Sequence, residues 1–270
     1  AVGKKIATEM KKQKEKFIDG CVRNGLTQRR AEEIFTLIEP FAGYGFNKAH
    51  AACYATIAYQ TAYLKANFPV EYMTAVLAAE SRGNTGTTRD EKIGMIAEEC
   101  RRMDIPLLSP DINTSAVEFT IEKHSIRLGL SAIKNVGTAV IESILAARQD
   151  GPFTKMSDFI KRVDVSKVNK KTIESLVKAG AMDAFGKRSQ LLSVLPDLLD
   201  QVHKDRKATA AGQAGLFDEP SLPSDVLPAI EELSKEQLLA SEKELLGFYL
   251  TEHPLVRLIV KLRDLGTMPL

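Results

Sequence analysis

Two glycine-containing turns between helical stretches limit the fold of this 270-residue chain more than any other feature. The first turn, at residues 135–138, follows residues 128–134 and precedes a helix predicted over 139–148. The second turn, at residues 179–182, follows a lysine-rich stretch with a helical pattern. A glycine between two helices permits a tight turn, so the unpaired amides that begin the next helix can point outward.

These two turns predict one compact unit that binds duplex nucleic acid. Their glycines lie about 43 residues apart, which fits a tandem helix-hairpin-helix pattern over residues 126–203. Amides at a helix N-terminus contact phosphate without reading bases, and nearby cations strengthen that contact. The alternative is plain helix packing, because a helical turn with one glycine is common. The residues predicted to bind DNA are Lys134, Val136, Gly137, Thr138, Lys178, Gly180, Lys187 and Arg188.

The distribution of charge agrees with this prediction, although the net charge of the whole chain is only +2. Residues 126–210 carry 15 Lys and Arg against nine Asp and Glu. Residues 1–125 carry 17 against 16, and residues 211–270 carry five against ten. The basic surplus indicates a polyanionic partner for the middle of the chain, and the acidic tail indicates a different partner or none.

Hydrophobic periodicity predicts a mainly α fold with one small β-hairpin. The hairpin is expected where residues 119–121 and 125–128 flank a turn. A mobile loop is expected over 81–88, and the apolar stretch 51–64 is expected to form a buried helix and not a membrane span. Helices are predicted over 4–19, from Thr27 to near Pro40, from Asn47 to just before Pro69, and over 70–80, 92–103, 139–148, 170–178 and 231–249.

The helix that begins at Asn47 carries a candidate phosphate site. If Asn47 caps this helix, Lys48 and His50 lie in its first turn, where the helix dipole favours an anion and disfavours a cation. A bound phosphate would resolve that conflict. The alternative is an ordinary helix start with a solvated lysine and a packed histidine.

Residues 204–230 change in composition to Ala, Gly, Gln and Pro, which is typical of a linker. Within it, Leu216 and Phe217 are two adjacent large apolar residues in a stretch that is unable to build a core. They are predicted to anchor in a pocket of another protein, with Gln213 as a polar contact. The alternative is a linker that folds back on its own domain. A helical segment over 231–270 is expected to lead into a further domain.

Several classes of function are not supported by the sequence. Cys21, Cys53 and Cys100 are far apart and lack metal-ligand spacing, so they are interpreted as core thiols in a reducing compartment. No carboxylate pair stands in a pattern that would hold two magnesium ions, and no phosphate loop is present. Asp111 is interpreted as a turn residue. No catalytic residue and no metal ligand is predicted in this chain.

The motifs resemble the alpha subunit of bacterial DNA polymerase III, the family C replicative polymerase. The most specific part of the resemblance is residues 41–50, continued by 59–66 and 69–73. Supporting matches lie at residues 3–5, 110–113, 129–137 and 247–254. The resemblance covers nearly the whole chain.

This resemblance implies that residues 1–125 belong to the fingers, with Asn47, Lys48 and His50 facing the incoming nucleotide. His50 matches a position near the sugar, and Ala49 stands where serine is usual. Residues 126–203 then match the tandem helix-hairpin-helix domain behind the active site, and 213–217 resemble the internal clamp-binding peptide. The palm with its metal-binding aspartates would lie upstream, together with an arginine pair before Gly3.

The sequence therefore predicts a fragment of a cytoplasmic DNA-directed DNA polymerase that works at the nucleoid. Its expected partners are primer-template DNA, deoxynucleoside triphosphates, the sliding clamp (beta subunit) and other replicase subunits, with no membrane. Magnesium is expected in the full enzyme, with its ligands outside this chain, so the fragment alone is expected to bind no cofactor and to be inactive. The alternatives are a non-catalytic DNA-binding or clamp-tethering module and, less favoured, a helix-hairpin-helix nuclease or glycosylase.

Overall fold

A computed structural model describes residues 7–40, 47–83, 86–164, 166–210, 226–252 and 254–255. The chain is mainly α-helical with one small sheet, which confirms the predicted fold class. The α-helices are α1 Ala7–Arg23, α2 Gln28–Ile38, α3 Lys48–Asn67, α4 Pro69–Gly83, α5 Gly86–Arg102, α6 Thr138–Arg148, α7 Met156–Arg162, α8 Lys170–Lys178, α9 Arg188–Ala210 and α10 Lys235–Leu246. The strands are β1 Leu107–Leu108, β2 Thr120–Glu122 and β3 Ser125–Arg127.

The chain divides into two compact units, Ala1–Ala66 and Asn67–Leu270. In the first unit, Thr27 caps α2 as predicted, and its hydroxyl accepts a hydrogen bond from the Arg30 amide. The rings of Phe17 and Phe35 lie 5.6 Å apart and join α1 to α2. These contacts make a small helical pair around the buried side chain of Phe35.

Helix α3 begins after Asn47 and ends at Asn67, as expected from the proline at position 69. The prediction that this helix is buried is wrong for the structure described, in which none of its residues is buried. Tyr54, Ile57 and Tyr59 are each more than half exposed. Apolar side chains are spread around the whole helix, a pattern that favours burial, but the described part of the chain buries none of them.

The second unit opens with α4 and α5, and here the predicted loop over 81–88 is corrected. Helix α4 continues to Gly83 and α5 already begins at Gly86. The two helices pack through the buried side chains of Met73, Leu77 and Ile93. The Lys92 ammonium of α5 also lies 3.1 Å from the Glu80 carboxylate of α4, so tertiary contacts extend both helices past the turn-forming residues.

The predicted hairpin is confirmed, and a third strand joins it. Strand β2 pairs antiparallel with β3, with Ile121 opposite Ile126. Lys123 in the turn has a φ of 57°. Strand β1 pairs parallel with β3 on its other side. A two-residue strand is too short to show alternation in a sequence, which is why the pattern predicts only the two strands of the hairpin.

One buried core runs from Met73 to Phe248 and includes side chains from both sides of the predicted boundary at residue 125. Helices α6 to α10 all contribute, through residues such as Ile144, Leu176 and Leu195. The functional division into a fingers region and a hairpin domain remains a prediction.

Two predicted boundaries near the end of the chain also change. Helix α9 continues to Ala210, seven residues into the predicted linker. Helix α10 begins at Lys235 and not at residue 231, because Ser234 and Gln237 form a capping box at its start. The residues just before Ser234 have no regular secondary structure, and Glu231 and Glu232 contact the start of α9 instead.

Candidate nucleic-acid interface

The first candidate site is the start of α3. The Asn47 Oδ1 accepts hydrogen bonds from the amides of Ala49 and His50, at 2.9 and 3.3 Å, so the predicted cap is confirmed. Lys48 and His50 are exposed in the first turn, which contains no acidic residue. The His50 ring lies 4.4 Å from the Tyr54 ring. Residues 41–46 before this helix lie outside the described residues.

The second candidate site is the first hairpin, residues 135–138. Asn135 has a φ of 67°, a left-handed conformation that asparagine tolerates better than most residues. The backbone carbonyl of Asn135 accepts a hydrogen bond from the Thr172 hydroxyl at 3.2 Å. Its side-chain Nδ2 donates a hydrogen bond to the Ser175 hydroxyl at 3.1 Å. Both partners are buried on α8, so this helix fixes the position of the turn.

Gly137 ends the first hairpin as the N-cap of α6, and it is exposed together with Thr138 and Ala139. No side chain of the described residues caps α6, and its first turn contains no acidic residue. The Gly137 φ of −80° and ψ of 166° are accessible to any residue. The expectation that Gly137 permits the tight turn is therefore wrong, because Asn135 takes the left-handed conformation. A Cβ at Gly137 would meet no atom within 4 Å, so the glycine instead leaves open space before the amides of α6.

Lys134 and Val136 have roles in packing at this hairpin. The Val136 side chain is buried in the core. The Lys134 amide donates to the Leu245 carbonyl at 2.9 Å, and its ammonium lies 2.6 Å from the Asp90 carboxylate. Any phosphate contact by Lys134 therefore competes with Asp90 for the same charge.

The second hairpin, residues 179–182, differs from the first. Gly180 has a φ of 85°, so a glycine is favoured there by the backbone itself. A Cβ at this position would overlap the Arg188 guanidinium. Arg188 is 8% exposed and donates to both carboxylate oxygens of Asp183 and to the Lys178 carbonyl. The structure thus gives Gly180 and Arg188 a role in packing, and their contact with DNA stays a prediction.

The charge of Arg188 is held in place by acidic neighbours. Burial acts to lower the pKa of its guanidinium, but the hydrogen bond and the charge of Asp183, with the carboxylates of Glu242 and Glu232 nearby, keep that pKa above its ordinary value. The remaining two predicted cations of this hairpin differ in exposure. Lys178 is half-buried, and Lys187 is exposed with its ammonium 3.2 Å from the Ile230 carbonyl.

The N-terminus of α9, which follows the second hairpin, is occupied by a side chain of the chain itself. The two Glu232 carboxylate oxygens accept hydrogen bonds from the amides of Arg188 and Ser189, at 2.9 and 3.0 Å. Burial acts to raise the pKa of Glu232, but hydrogen bonds from the amides of Ser189, Leu233 and Arg188 outweigh it and lower that pKa. The two hairpins therefore present one open and one filled helix N-terminus.

The third predicted site, Gln213, Leu216 and Phe217, lies outside the described residues. Within the described part of the chain, no group of three or more His, Cys, Asp or Glu side chains could hold a metal ion. In the same residues no helix is both long and apolar enough to cross a membrane.

Sequence reasoning missed three residues that the structure brings to these hairpins. Asn135 could have been found from its tolerance of the left-handed region. Lys171 is exposed on α8, one residue before Thr172, whose hydroxyl holds the first hairpin. Glu232 gave no local signal, because its partners lie 43 and 44 positions earlier in the chain.

Both hairpins lie within one segment that is similar to a known family. A family model described as "Helix-hairpin-helix motif" matches residues 104–191.

Relatives of known name match almost the whole chain. The chain is 42% identical to the DNA polymerase III subunit alpha of Thermus aquaticus, and the match covers 95% of the chain and 20% of that protein. The corresponding protein of Chlamydia pneumoniae is 43% identical over 94% of the chain and 21% of the relative, and that of Pseudomonas aeruginosa is 39% identical over 94% and 23%. The chain is therefore related to one segment of bacterial DNA polymerase III alpha subunits and spans about a fifth of their length.

Proposed function

We propose that this chain is the nucleotide-facing and duplex-holding segment of a bacterial replicative DNA polymerase. The single observation that carries the proposal is the open, uncapped N-terminus of α6 at the first hairpin, in a chain similar over 95% of its length to a polymerase alpha subunit. An exposed helix start with no acidic residue offers amides and a positive dipole to a phosphate.

The duplex contact is proposed to be made by backbone amides at Gly137 and Thr138, supported by cations. Lys171 is exposed and directly precedes Thr172, whose hydroxyl donates to the hairpin carbonyl of Asn135. Lys134 is closer to the turn but already pairs with Asp90. Contacts of this kind bind phosphate and read no base, so the segment holds duplex DNA of any sequence.

Duplex binding measured against salt concentration tests this proposal. The affinity is expected to fall steeply with salt and to be independent of sequence. Gly137→Val should leave the fold intact, because its side chain would enter open space, and should weaken binding by roughly tenfold or more through loss of a charge-assisted hydrogen bond. Gly20→Val is the matched control, since Gly20 also faces open space. Equal duplex affinity of both variants and the parent chain would contradict the proposed contact.

The nucleotide contact is proposed for Asn47, Lys48 and His50 in the complete polymerase. Asn47 fixes the start of α3, Lys48 faces the phosphates and His50 lies towards the sugar. Lys48→Ala should raise the KM for deoxynucleoside triphosphates, and His50→Ala should change discrimination between deoxy- and ribonucleotides. Lys65→Ala, in the last turn of the same helix, is the control. If this segment only tethered the polymerase to the clamp, the nucleotide kinetics of all three variants would equal those of the unaltered polymerase.

Catalysis is proposed to need parts of the polymerase outside this segment. Magnesium ions would stabilise the transferred phosphoryl group, and their ligands are proposed to lie in a palm domain with a pair of aspartates. The 270-residue chain alone should therefore incorporate no nucleotide into a primer-template in the presence of magnesium. Template-dependent extension by the pure chain would contradict this assignment.

The clamp contact is proposed for Gln213, Leu216 and Phe217. Burial of two large apolar side chains contributes about 1.5 to 3 kcal/mol each before the cost of ordering, so the peptide alone should bind weakly, on the order of micromolar. The partners in this proposal are primer-template DNA, the sliding clamp and the other replicase subunits of the bacterial cytoplasm.

A further inference from the structure

A short segment without regular secondary structure, residues 227–232, lies across the start of α9, and we name it the strap. The Pro228 carbonyl accepts a hydrogen bond from the Gln190 side chain at 2.7 Å, and the Ile230 carbonyl accepts from the Lys187 ammonium at 3.2 Å. The Leu227 side chain covers Gly186 so closely that a Cβ there would overlap it. The strap thus covers the residues that join the second hairpin to α9.

The last two residues of the strap, Glu231 and Glu232, accept hydrogen bonds from the first turn of α9. The Ser189 hydroxyl donates to the Glu231 carbonyl at 2.6 Å, and the Glu232 carboxylate accepts the amides of Arg188 and Ser189. The first turn of α9 contains no acidic residue of its own. A carboxylate placed there has the same charge sign and accepts the same amide donors as a DNA phosphate oxygen would.

The first hairpin shows the opposite arrangement. No side chain of the described residues caps α6, and Gly137, Thr138 and Ala139 are exposed. The cation nearest to the start of α9 is also committed, because Arg188 is buried against Asp183 and the Lys178 carbonyl. Within the described part of the chain, only the first hairpin therefore has free space and unshared amides for a phosphate.

We infer that the strap is a built-in substitute for a DNA phosphate, so that the two hairpins of the tandem are functionally unequal and only the first one touches the duplex. This inference rests on the proposed function, because it assumes that the chain binds duplex DNA through the first hairpin. The strap instead fastens the chain that follows residues 211–225 to the second hairpin. The second hairpin is a structural anchor, and the duplex passes over the first hairpin and the start of α8.

Backbone amide resonances of the unaltered 270-residue chain test the inference during titration with a short duplex. The amides of Gly137, Thr138 and Ala139 should shift, and those of Arg188 and Ser189 should keep their positions, because Glu232 remains on them. Shifts at all five amides, including displacement of the Glu232 carboxylate signal, would overturn the inference and leave the proposed function standing. No shift at any of the five would overturn both.

Variants give a second readout through the dependence of duplex affinity on salt. Lys187→Ala should leave the slope of log affinity against log salt unchanged, whereas Lys171→Ala should reduce it by about one. Glu232→Ala should steepen the slope by about one, because the freed amides of α9 can take a phosphate. Glu232→Gln is the matched control, since it removes the charge but keeps one acceptor oxygen at the start of α9, so it should change the slope less than Glu232→Ala. A reduced slope for Lys187→Ala would overturn the inference even if Glu232→Ala failed to fold.

Discussion

At the scale of single residues, Gly137 shows a trade-off between the stability of α6 and the availability of its first amides. Its backbone conformation is the one that serine, threonine and aspartate adopt when they cap a helix, yet it supplies no side-chain cap to α6. A better cap would stabilise the helix and would also occupy the amides proposed for phosphate. Glycine at this position therefore favours binding over stability.

Gly137→Ser is expected to separate these two properties. The serine hydroxyl should accept an amide of the first turn and raise the free energy of unfolding by a few tenths of a kcal/mol. Duplex affinity should fall, because the same amide is then shared. Denaturant unfolding and duplex titration measure the two effects. Gly137→Ala, which brings a Cβ but no acceptor, is the control and should weaken binding less than serine; serine binding as tightly as the parent would contradict the assignment.

At the scale of elements, the end of α10 contacts the first hairpin and helps to fix its position. Gly247 follows this helix with a φ of 88°, and a Cβ there would lie 2.6 Å from the Asp90 carboxylate. Asp90 pairs in turn with Lys134, and the Lys134 amide donates to the Leu245 carbonyl. The position of the hairpin thus depends on a helix that begins a hundred residues later in the chain.

Gly247→Ala should therefore destabilise the protein by more than about 1 kcal/mol, through backbone strain and the overlap with Asp90. Gly20→Ala is the matched control with the opposite sign. It lies in the interior of α1 with no neighbour within 4 Å, so alanine should stabilise that helix by up to about 1 kcal/mol. Chemical denaturation of both variants measures the difference. Equal effects from the two changes would show that neither the φ at 247 nor the contact with Asp90 matters.

The strap makes the stability of the second hairpin depend on pH. The amide hydrogen bonds hold the pKa of Glu232 below its ordinary value of 4.5. A carboxyl whose pKa is lower in the folded state stabilises that state above its unfolded pKa, and this contribution is lost as the pH falls through the folded pKa.

Acidification from about pH 6 to about pH 3 should therefore reduce the unfolding free energy of the parent chain more than that of Glu232→Gln. Other carboxyls with lowered pKa values, including those of Glu122 and Asp164, titrate in both proteins, so the difference between the two curves isolates Glu232. Denaturant unfolding at several pH values is the measurement. Parallel curves would mean that the Glu232 charge contributes nothing to the fold.

At the scale of the whole molecule, processive synthesis is proposed to arise from two modest affinities joined in one chain. In this proposal the hairpin binds the duplex and the peptide at 213–217 binds the clamp, so each contact would raise the effective concentration of the other. Changing Leu216 and Phe217 together to alanine in the complete polymerase should remove clamp binding and processivity. Extension of short primers should stay nearly intact. Unchanged clamp affinity of this double variant would return the stretch to a plain linker.

The sequence by itself determined the helical class, the caps at Thr27 and Asn47, the small hairpin and the family resemblance. Each of these depends on local chemistry, such as a side chain that reaches an amide two or three residues away, or on a motif read in one stretch. For the same reason, the family segment could be recognised without any knowledge of its packing.

Only the tertiary structure decided which hairpin is open. Arg188 is buried and pairs with Asp183. Glu232 accepts the amides at the start of α9 from more than 40 residues away in the chain. The continuation of α4 past residues typical of turns accompanies its packing on α5, through Met73, Leu77 and Ile93. Burial and hydrogen bonding between distant residues outweigh local preference, because a buried polar group must find a partner wherever the fold supplies one.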